Sequence, residues 1–199
     1  DSGGVVRIDV IGSIGETGPW GDSPNDTDEV VMRRKSDVCK GDSNGSDAFD
    51  PSDEWDFFAE NTTGGLGSHS VTCGTTTGLI ISEYYESYSN TLNTQACAIE
   101  IYNGTGASVD LNNYNIVVYR NGISGIFSEI CFLHGDLANG GTHVLTNGDD
   151  ELSGFEDEIC GSLEFTGDDV VELRRGNEPD ATDSRWLSGN GDPPQLHSD

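Results

Sequence analysis

A loop rich in carboxylate and amide side chains is the part of this sequence best suited to chemistry, and that chemistry would be calcium binding. Calcium takes about six to eight oxygen ligands, often from one short loop. The expected ligands are Asp42, Asn44, Asp47, Asp50 and Asp53. The glycine of this loop is misplaced for an EF-hand, which needs glycine at its sixth position. The alternative is a set of solvated turn residues that form Asx turns.

Other residues with chemical potential give weaker signals. A second calcium candidate combines Asp149, Asp150 and Glu151 with Asp157. The four histidines, His69, His134, His143 and His197, lie in no metal-ligand spacing, and no nucleophile or phosphate-binding motif occurs. For His69 we expect capping or packing. The tryptophans, Trp20, Trp55 and Trp186, are expected in the core or at contacts rather than as sugar platforms. We therefore predict a protein that is not an enzyme, with calcium as its sole candidate cofactor.

The five cysteines indicate an oxidising compartment. No two of them lie within four residues of each other, so zinc, haem and thioredoxin spacings are excluded. Structural disulfides are their best use, which favours an extracellular or cell-surface location. We predict the pairs Cys131–Cys160 and Cys39–Cys73, which leaves Cys97 as the odd cysteine. An odd cysteine is free or pairs with another chain.

The charge of the chain excludes several partners. With 36 acidic and 9 basic residues, the formal net charge is −27. Nucleic acid and anionic membrane surfaces would be repelled, because both require a basic footprint. The sequence contains no apolar run long enough to span a bilayer, so we expect no membrane insertion. A chain that begins at Asp1 is expected to be a processed or excised piece.

Short strands dominate the pattern along the chain. Runs of β-branched and aromatic residues alternate with turns rich in Gly, Asn and Asp. The predicted strands are 5–11, 29–34, 79–87, 97–103, a strand after the Asn112-Asn113 turn up to 120, 126–133, 142–146, and a strand–turn–strand unit over 164–174. Asn121-Gly122 favours a tight hairpin. Trp55, Phe57 and Phe58 should dock the polar loop 41–54 onto a core. The fold class is therefore all-β, as a sandwich.

Two blocks of sequence carry motifs of a known domain. LIISEYYES, CAIEIYNGTGASVDLNNYNIVVYRNG, GDLANGGTHVLTN and FTGDDVVELRRG lie within 79–176, and VVRIDVIGSIG, EVVMRRKSDVC, NGSDAFDPSDEWDFF and LGSHS lie within 5–69. Together they resemble the lamin-tail domain of nuclear lamins and of many secreted bacterial proteins. The resemblance implies an immunoglobulin-like β-sandwich without enzymatic activity.

The order of the two blocks is reversed relative to that family. The pieces within 5–69 follow the GDDVVELRRG strand in the family but precede the whole domain here. The chain is thus circularly permuted, or it is a repeat cut out of phase. We predict residues 1–70 as the C-terminal half of a lamin-tail-like sandwich, 71–78 as a linker, 79–176 as the N-terminal half, and 177–199 as a polar arm.

The permutation leaves two ways to complete the sandwich. Residues 5–69 either fold back onto 79–176 of the same chain, over a linker that spans at most about 28 Å, or complete a neighbouring chain by strand donation. Head-to-tail donation gives an open fibre unless a ring closes. The polar arm and an inter-subunit disulfide from the odd cysteine would add to such an assembly.

We predict the second arrangement: a structural subunit of an extracellular filament, whose partner is a further copy of itself. The predicted assembly residues are Val5, Ile8, Val10, Val30, Met32, Val170 and Leu173. The alternatives are an accessory binding or targeting module of a larger secreted hydrolase, and a surface adhesin.

Overall fold

The fold is given by a computed structural model that describes residues 4–74, 78–89, 94–123 and 128–176. The predicted arm 177–199, with Trp186 and His197, lies outside these residues. The described part contains one α-helical turn, α1 (Pro51–Glu54), three 3-10 turns and fourteen strands. The strands are β1 (Val6–Ile11), β2 (Gly21–Asp22), β3 (Asn25–Asp26), β4 (Val31–Arg34), β5 (Trp55–Phe58), β6 (Leu79–Ser89), β7 (Thr94–Asn103), β8 (Val109–Asp110), β9 (Tyr114–Tyr119), β10 (Glu129–Phe132), β11 (Asp136–Leu137), β12 (Thr142–Thr146), β13 (Glu158–Ile159) and β14 (Val170–Arg175).

Two sheets share one hydrophobic core, which makes the fold an all-β sandwich. One sheet has the strand order β1-β14-β9-β10, and the other has the order β13-β12-β7-β6-β4-β5. Ile11, Val118 and Leu173 of the first sheet belong to the same core cluster as Met32 and Ile99 of the second. Neighbouring strands pair antiparallel, except β12 and β13, which are parallel. No helix in the described part is long and apolar enough to cross a bilayer.

The longest strands, β6 and β7, are rich in β-branched and aromatic residues, which suit a packed pleated surface. They are buried over most of their length because the second sheet is covered on both faces. The core lies on one face, and a smaller apolar cluster that includes Tyr85, Val144 and Leu152 lies on the other. Strands buried on both faces lose the simple alternation of polar and apolar residues.

The early block of the sequence supplies an edge to each sheet of the same chain. Strand β1 pairs with β14, and β4 pairs with β6 on one side and β5 on the other. The block that the resemblance assigns to the end of the domain therefore closes the sandwich from within the chain.

Several strand predictions need correction. Glu164–Thr166 is not a strand; Phe165 is fully buried instead, and its carbonyl accepts a hydrogen bond from Gln95 Nε2 at 2.8 Å. Asn121-Gly122 forms part of a 3-10 turn rather than a tight hairpin. Residues 55–58, expected only to dock a loop, form the edge strand β5.

Candidate assembly interface

The two blocks of the chain meet along a boundary that we call the seam. It lies between the N-terminal segment, residues 4–73, and the C-terminal segment, residues 79–176. The chain crosses it through the connection 74–78. The pairing of β1 with β14 and of β4 with β6 forms its backbone, so each sheet of the sandwich contains strands from both segments. Unpaired edges would otherwise be exposed on β14 and β6.

Each disulfide lies on one side of the seam. Cys39 is bonded to Cys73 within the N-terminal segment, with Cα atoms 6.1 Å apart. Cys131 is bonded to Cys160 within the C-terminal segment, with Cα atoms 5.9 Å apart. These are the two pairs put forward from the sequence. All five cysteines are among the described residues, and no disulfide joins the two segments.

A buried ion pair of the N-terminal segment binds the main chain of a single residue of the C-terminal segment, Ile81. Asp9 of β1 and Arg34 of β4 form a salt bridge, and both side chains are fully buried. Arg34 Nε donates to the carbonyl of Ile81 at 3.1 Å, and the Ile81 N–H donates to Asp9 Oδ2 at 2.8 Å. Arg34 also pairs with Glu54, and Asp9 Oδ1 accepts the N–H of Asp42 at 2.8 Å. The hydrogen bonds compensate for the desolvation of both charges.

Two glutamates of the C-terminal segment lie opposite each other in the β6–β7 register and accept from the N-terminal segment. Glu83 Oε2 accepts from Arg33 Nε at 3.1 Å, and Glu100 Oε2 accepts from the N–H of Gly67 at 2.6 Å. A Cβ atom at Gly65 would clash with the side chains of Arg33 and Glu83, so the loop that contains Gly65 and Gly67 lies directly against these two side chains. Burial raises the pKa of Glu83 to about 7, with Glu100 adding to the shift and Arg33 opposing it. Burial also raises the pKa of Glu100.

A third glutamate, Glu86 of β6, lies at the end of the core. Its Oε2 accepts the N–H of Glu29 across the seam at 3.3 Å, and its Oε1 accepts from Gln95 Nε2 at 3.1 Å. Burial, followed by repulsion from Asp28, raises the pKa of Glu86 to about 8. The hydroxyl of Tyr84 also donates to Glu86, at 3.2 Å.

A fourth glutamate, Glu172 of β14, is also contacted from the N-terminal segment, but it lies on the other sheet. Arg7 of β1 forms a salt bridge with it at 3.2 Å, and the hydroxyl of Tyr119 donates to it at 2.8 Å. The hydroxyl of Thr27 also donates across the seam, to the carbonyl of Gly167 at 2.6 Å. Polar contacts thus accompany strand pairing on both sheets.

The predicted assembly residues all lie in or beside the strands of the seam. Val10, Val30, Met32, Val170 and Leu173 are buried, and Val5 and Ile8 are half-buried. The buried ones pack into the clusters of this same chain.

The predicted calcium ligands surround one cleft of about 470 Å³, which Lys40 also lines. Asp42 Oδ1 accepts the N–H of Asn44 at 2.8 Å, and Asp50 Oδ1 caps α1 by accepting the N–H of Ser52 at 2.9 Å. In the described ranges, no three His, Cys, Asp or Glu side chains converge as a metal site. Two of the proposed ligands therefore have turn and capping contacts, and calcium binding stays a prediction.

The second acidic stretch also has structural contacts. Asp149 Oδ1 accepts the N–H of Glu151 at 3.0 Å, and Glu151 accepts from the hydroxyl of Tyr85 at 2.7 Å. Asp157 Oδ2 accepts the N–H of Val144 at 2.9 Å. These contacts fix loop conformation.

The histidines of the described part contact neighbouring side chains, and its two tryptophans are buried. His69 is half-buried against Tyr102, with ring centroids 5.1 Å apart. His134 and His143 both contact the carboxylate of Glu158. The indole rings of Trp20 and Trp55 are buried and present no open face for a sugar.

The odd cysteine is inside the core. Cys97 of β7 is fully buried, and its thiol donates to the carbonyl of Phe165 at 3.4 Å. Burial raises the pKa of this thiol to about 12. The expected inter-subunit disulfide is therefore incompatible with the folded sandwich, because Cys97 cannot reach another chain while β7 is in place.

Sequence reasoning did not identify the charged residues of the seam. A signal was present, since each lies inside an apolar run: Asp9 in VVRIDVI, Glu83 and Glu86 in LIISEYYES, Glu100 in AIEIY, and Glu172 in VVEL. A charge inside a strand that is covered on both faces must be paired or hydrogen-bonded.

No family model, curated protein or solved structure matches the chain.

Proposed function

We propose that this protein is a non-enzymatic structural subunit of an extracellular filament, and that its copies join head to tail by exchange of the N-terminal segment. In this proposal the sandwich is of the immunoglobulin-like, lamin-tail type, as the sequence resemblance implies. The all-β sandwich and the two disulfides support a structural protein of an oxidising compartment.

One observation carries the proposal: the whole seam is non-covalent. Each segment keeps its own disulfide, so the N-terminal segment can leave one C-terminal segment and dock on another without breaking a covalent bond. Every contact of the seam is then formed again between two copies. The balance between closure and exchange depends on the connection 74–78 and on concentration. A copy that both donates and accepts propagates an open chain of subunits.

The charge of the protein favours such a mechanism. Copies that each carry −27 repel one another at low ionic strength. Strand exchange offsets this repulsion, because it buries apolar side chains and pairs backbone groups at the same time.

The length of the connection tests the proposal. Removal of residues 75–77 shortens its reach by about 10 Å, so closure within one chain becomes harder and exchange should increase. Insertion of ten Gly/Ser residues after Gly74 should have the opposite effect, and the same insertion after the exposed Gly154 is the matched control. Size is measured by light scattering and electron microscopy at high salt. A single-copy size for the wild type and the deletion variant would contradict the proposal.

A second candidate is an accessory binding or targeting module of a larger secreted hydrolase. One observation favours it: β1 and β4 find their partners in the same chain, so a single copy has no open seam. A discrete monomer in the experiment above would select this candidate.

A further inference from the structure

The C-terminal segment presents a set of glutamates to the N-terminal segment. Their side chains are no more than about 2% exposed, and each accepts a hydrogen bond or salt bridge across the seam. The set consists of Glu83, Glu86, Glu100 and Glu172. Their partners are the N–H donors of Arg33, Glu29 and Gly67, which form hydrogen bonds, and the guanidinium group of Arg7, which forms a salt bridge. A carboxylate acceptor is thus the shared feature of the seam on both sheets.

We infer that these four glutamates are the acceptor surface by which one copy recognises the N-terminal segment of a second copy, and that proton uptake by Glu83, Glu86 and Glu100 tightens the seam. The inference rests on the proposed exchange for the identity of the partner. Its physical basis is the contact between the two segments, which is the same within a chain and between chains.

The charge balance around the set explains the proton uptake. Glu83 and Glu100 face each other and share a single cation, Arg33. Glu86 faces the carboxylate of Asp28 and the hydroxyl of Tyr84, together with the uncharged Gln95. On the six-stranded sheet, closing the seam therefore removes more carboxylates than cations from water.

Glu172 has a different balance, because Arg7 and Arg174 both lie within salt-bridge distance of it. It therefore belongs to the acceptor surface through these salt bridges. Glu83 differs from Glu172 in this respect. Within the described ranges, Glu83 Oε1 is buried and has no hydrogen-bond partner. A buried carboxylate oxygen without a partner favours the protonated form.

The sign of the pH dependence follows from the shifts at the closed seam. Glu83 has a pKa of about 7 and Glu86 a pKa of about 8, against 4.5 for an ordinary glutamate. The closed seam thus binds more protons than the open one. The extra stability of the closed seam is complete below pH 4.5, the ordinary pKa of a glutamate, and is lost as the pH rises through 7 to 8.

Hydrogen exchange on the full chain tests the inference. The amides of β1 and β4 report opening of the seam, and those of β12 serve as an internal reference away from it. After correction for intrinsic exchange, we expect protection of β1 and β4 relative to β12 to fall at least about tenfold from pH 6 to pH 9. Glu86→Gln should flatten this dependence, and Glu164→Gln, at an exposed glutamate outside the set, should leave it unchanged.

Should Glu86→Gln not fold, Glu83→Gln takes its place with the same expectation. A wild-type seam that loosens on acidification, or variants with an unaltered pH dependence, would overturn the inference. The proposed function fails separately: single-copy size at every pH would contradict exchange, yet pH-dependent protection within that monomer would still support the acceptor set. Conversely, pH-independent exchange between labelled copies would remove the inference and keep the function.

Discussion

The sandwich has two lateral edges, and they are closed by different chemistry. At one edge, the outermost strands of the two sheets are β10 and β13, and the disulfide joins Cys131 of β10 to Cys160, which directly follows β13. Near the other edge, where β1 and β5 are the outermost strands, β1 and β4 are held by the salt bridge of Asp9 and Arg34 and by the contacts of both side chains with the main chain of Ile81. The first closure is covalent and joins residues of one segment. The second is non-covalent and joins two segments.

This difference shows where the molecule can open. A disulfide maintains its edge irrespective of a partner, whereas a buried ion pair stabilises only when all its groups are present. The seam therefore combines strict geometry with reversibility, which is what exchange between copies requires. The following changes test this comparison in order of decreasing effect.

Removal of one member of the buried ion pair should have the largest effect. Arg34→Met leaves Asp9 buried without its cation, and we expect a loss of about 3–5 kcal/mol in the free energy of unfolding. Chemical denaturation measures this loss. The double variant with Asp9→Leu is the control, because removal of both charges should recover part of the stability. A loss below about 1 kcal/mol for Arg34→Met would show that the pair does not hold the seam.

Loss of the disulfide at the other edge should be nearly as costly but should act differently. Cys131 and Cys160 are separated by 29 residues, and a loop of that length corresponds to about 3.5 kcal/mol in the chain-entropy model. The variant with both cysteines changed to Ser should lose stability in denaturation. In hydrogen exchange, the protection of the β1 and β4 amides relative to the β14 amides should be the same in this variant as in the wild type. A selective loss of protection at β1 and β4 would mean that the two edges are not independent.

The contrast between the edges also shows how far sequence reasoning reaches. The strand over 142–146 and the β6 strand could be predicted because apolar and β-branched residues cluster there. The buried charges could not be interpreted, since their partners come from segments distant in sequence: Arg34 contacts Ile81, and Gly67 contacts Glu100. The non-strand conformation of Phe165 likewise depends on a tertiary contact with Gln95.

The odd cysteine should have no effect on assembly. Cys97→Ala removes a buried thiol and should cost about 1 kcal/mol of stability. The pattern of oligomers on non-reducing gels should not change, because Cys97 is inaccessible in the folded sandwich. Disappearance of a covalent ladder in this variant would show that β7 leaves the sheet during assembly.

Calcium should have the smallest effect. If the loop that contains Asp42 and Asp47 binds the ion, millimolar calcium should raise the melting temperature by a few degrees over a chelator-treated sample, as binding to the native state alone stabilises it. Asp47→Asn, at an exposed loop position, should remove this increase, and Asp136→Asn, at an exposed position outside both acidic loops, should not. An unchanged melting temperature in chelator would remove the calcium hypothesis.

Cross-linking across the seam tests strand exchange most directly. Val6 of β1 lies opposite Arg175 of β14, and Val6 is 53% exposed, so cysteines at both positions should form a disulfide without disturbing the core. Tyr114→Cys with Arg175→Cys is the matched control, because this opposed pair lies within the C-terminal segment. The account predicts that oxidised Val6→Cys/Arg175→Cys runs as a reducible ladder of covalent multimers, while the control runs as a single copy. A single-copy band for both variants would contradict exchange between copies.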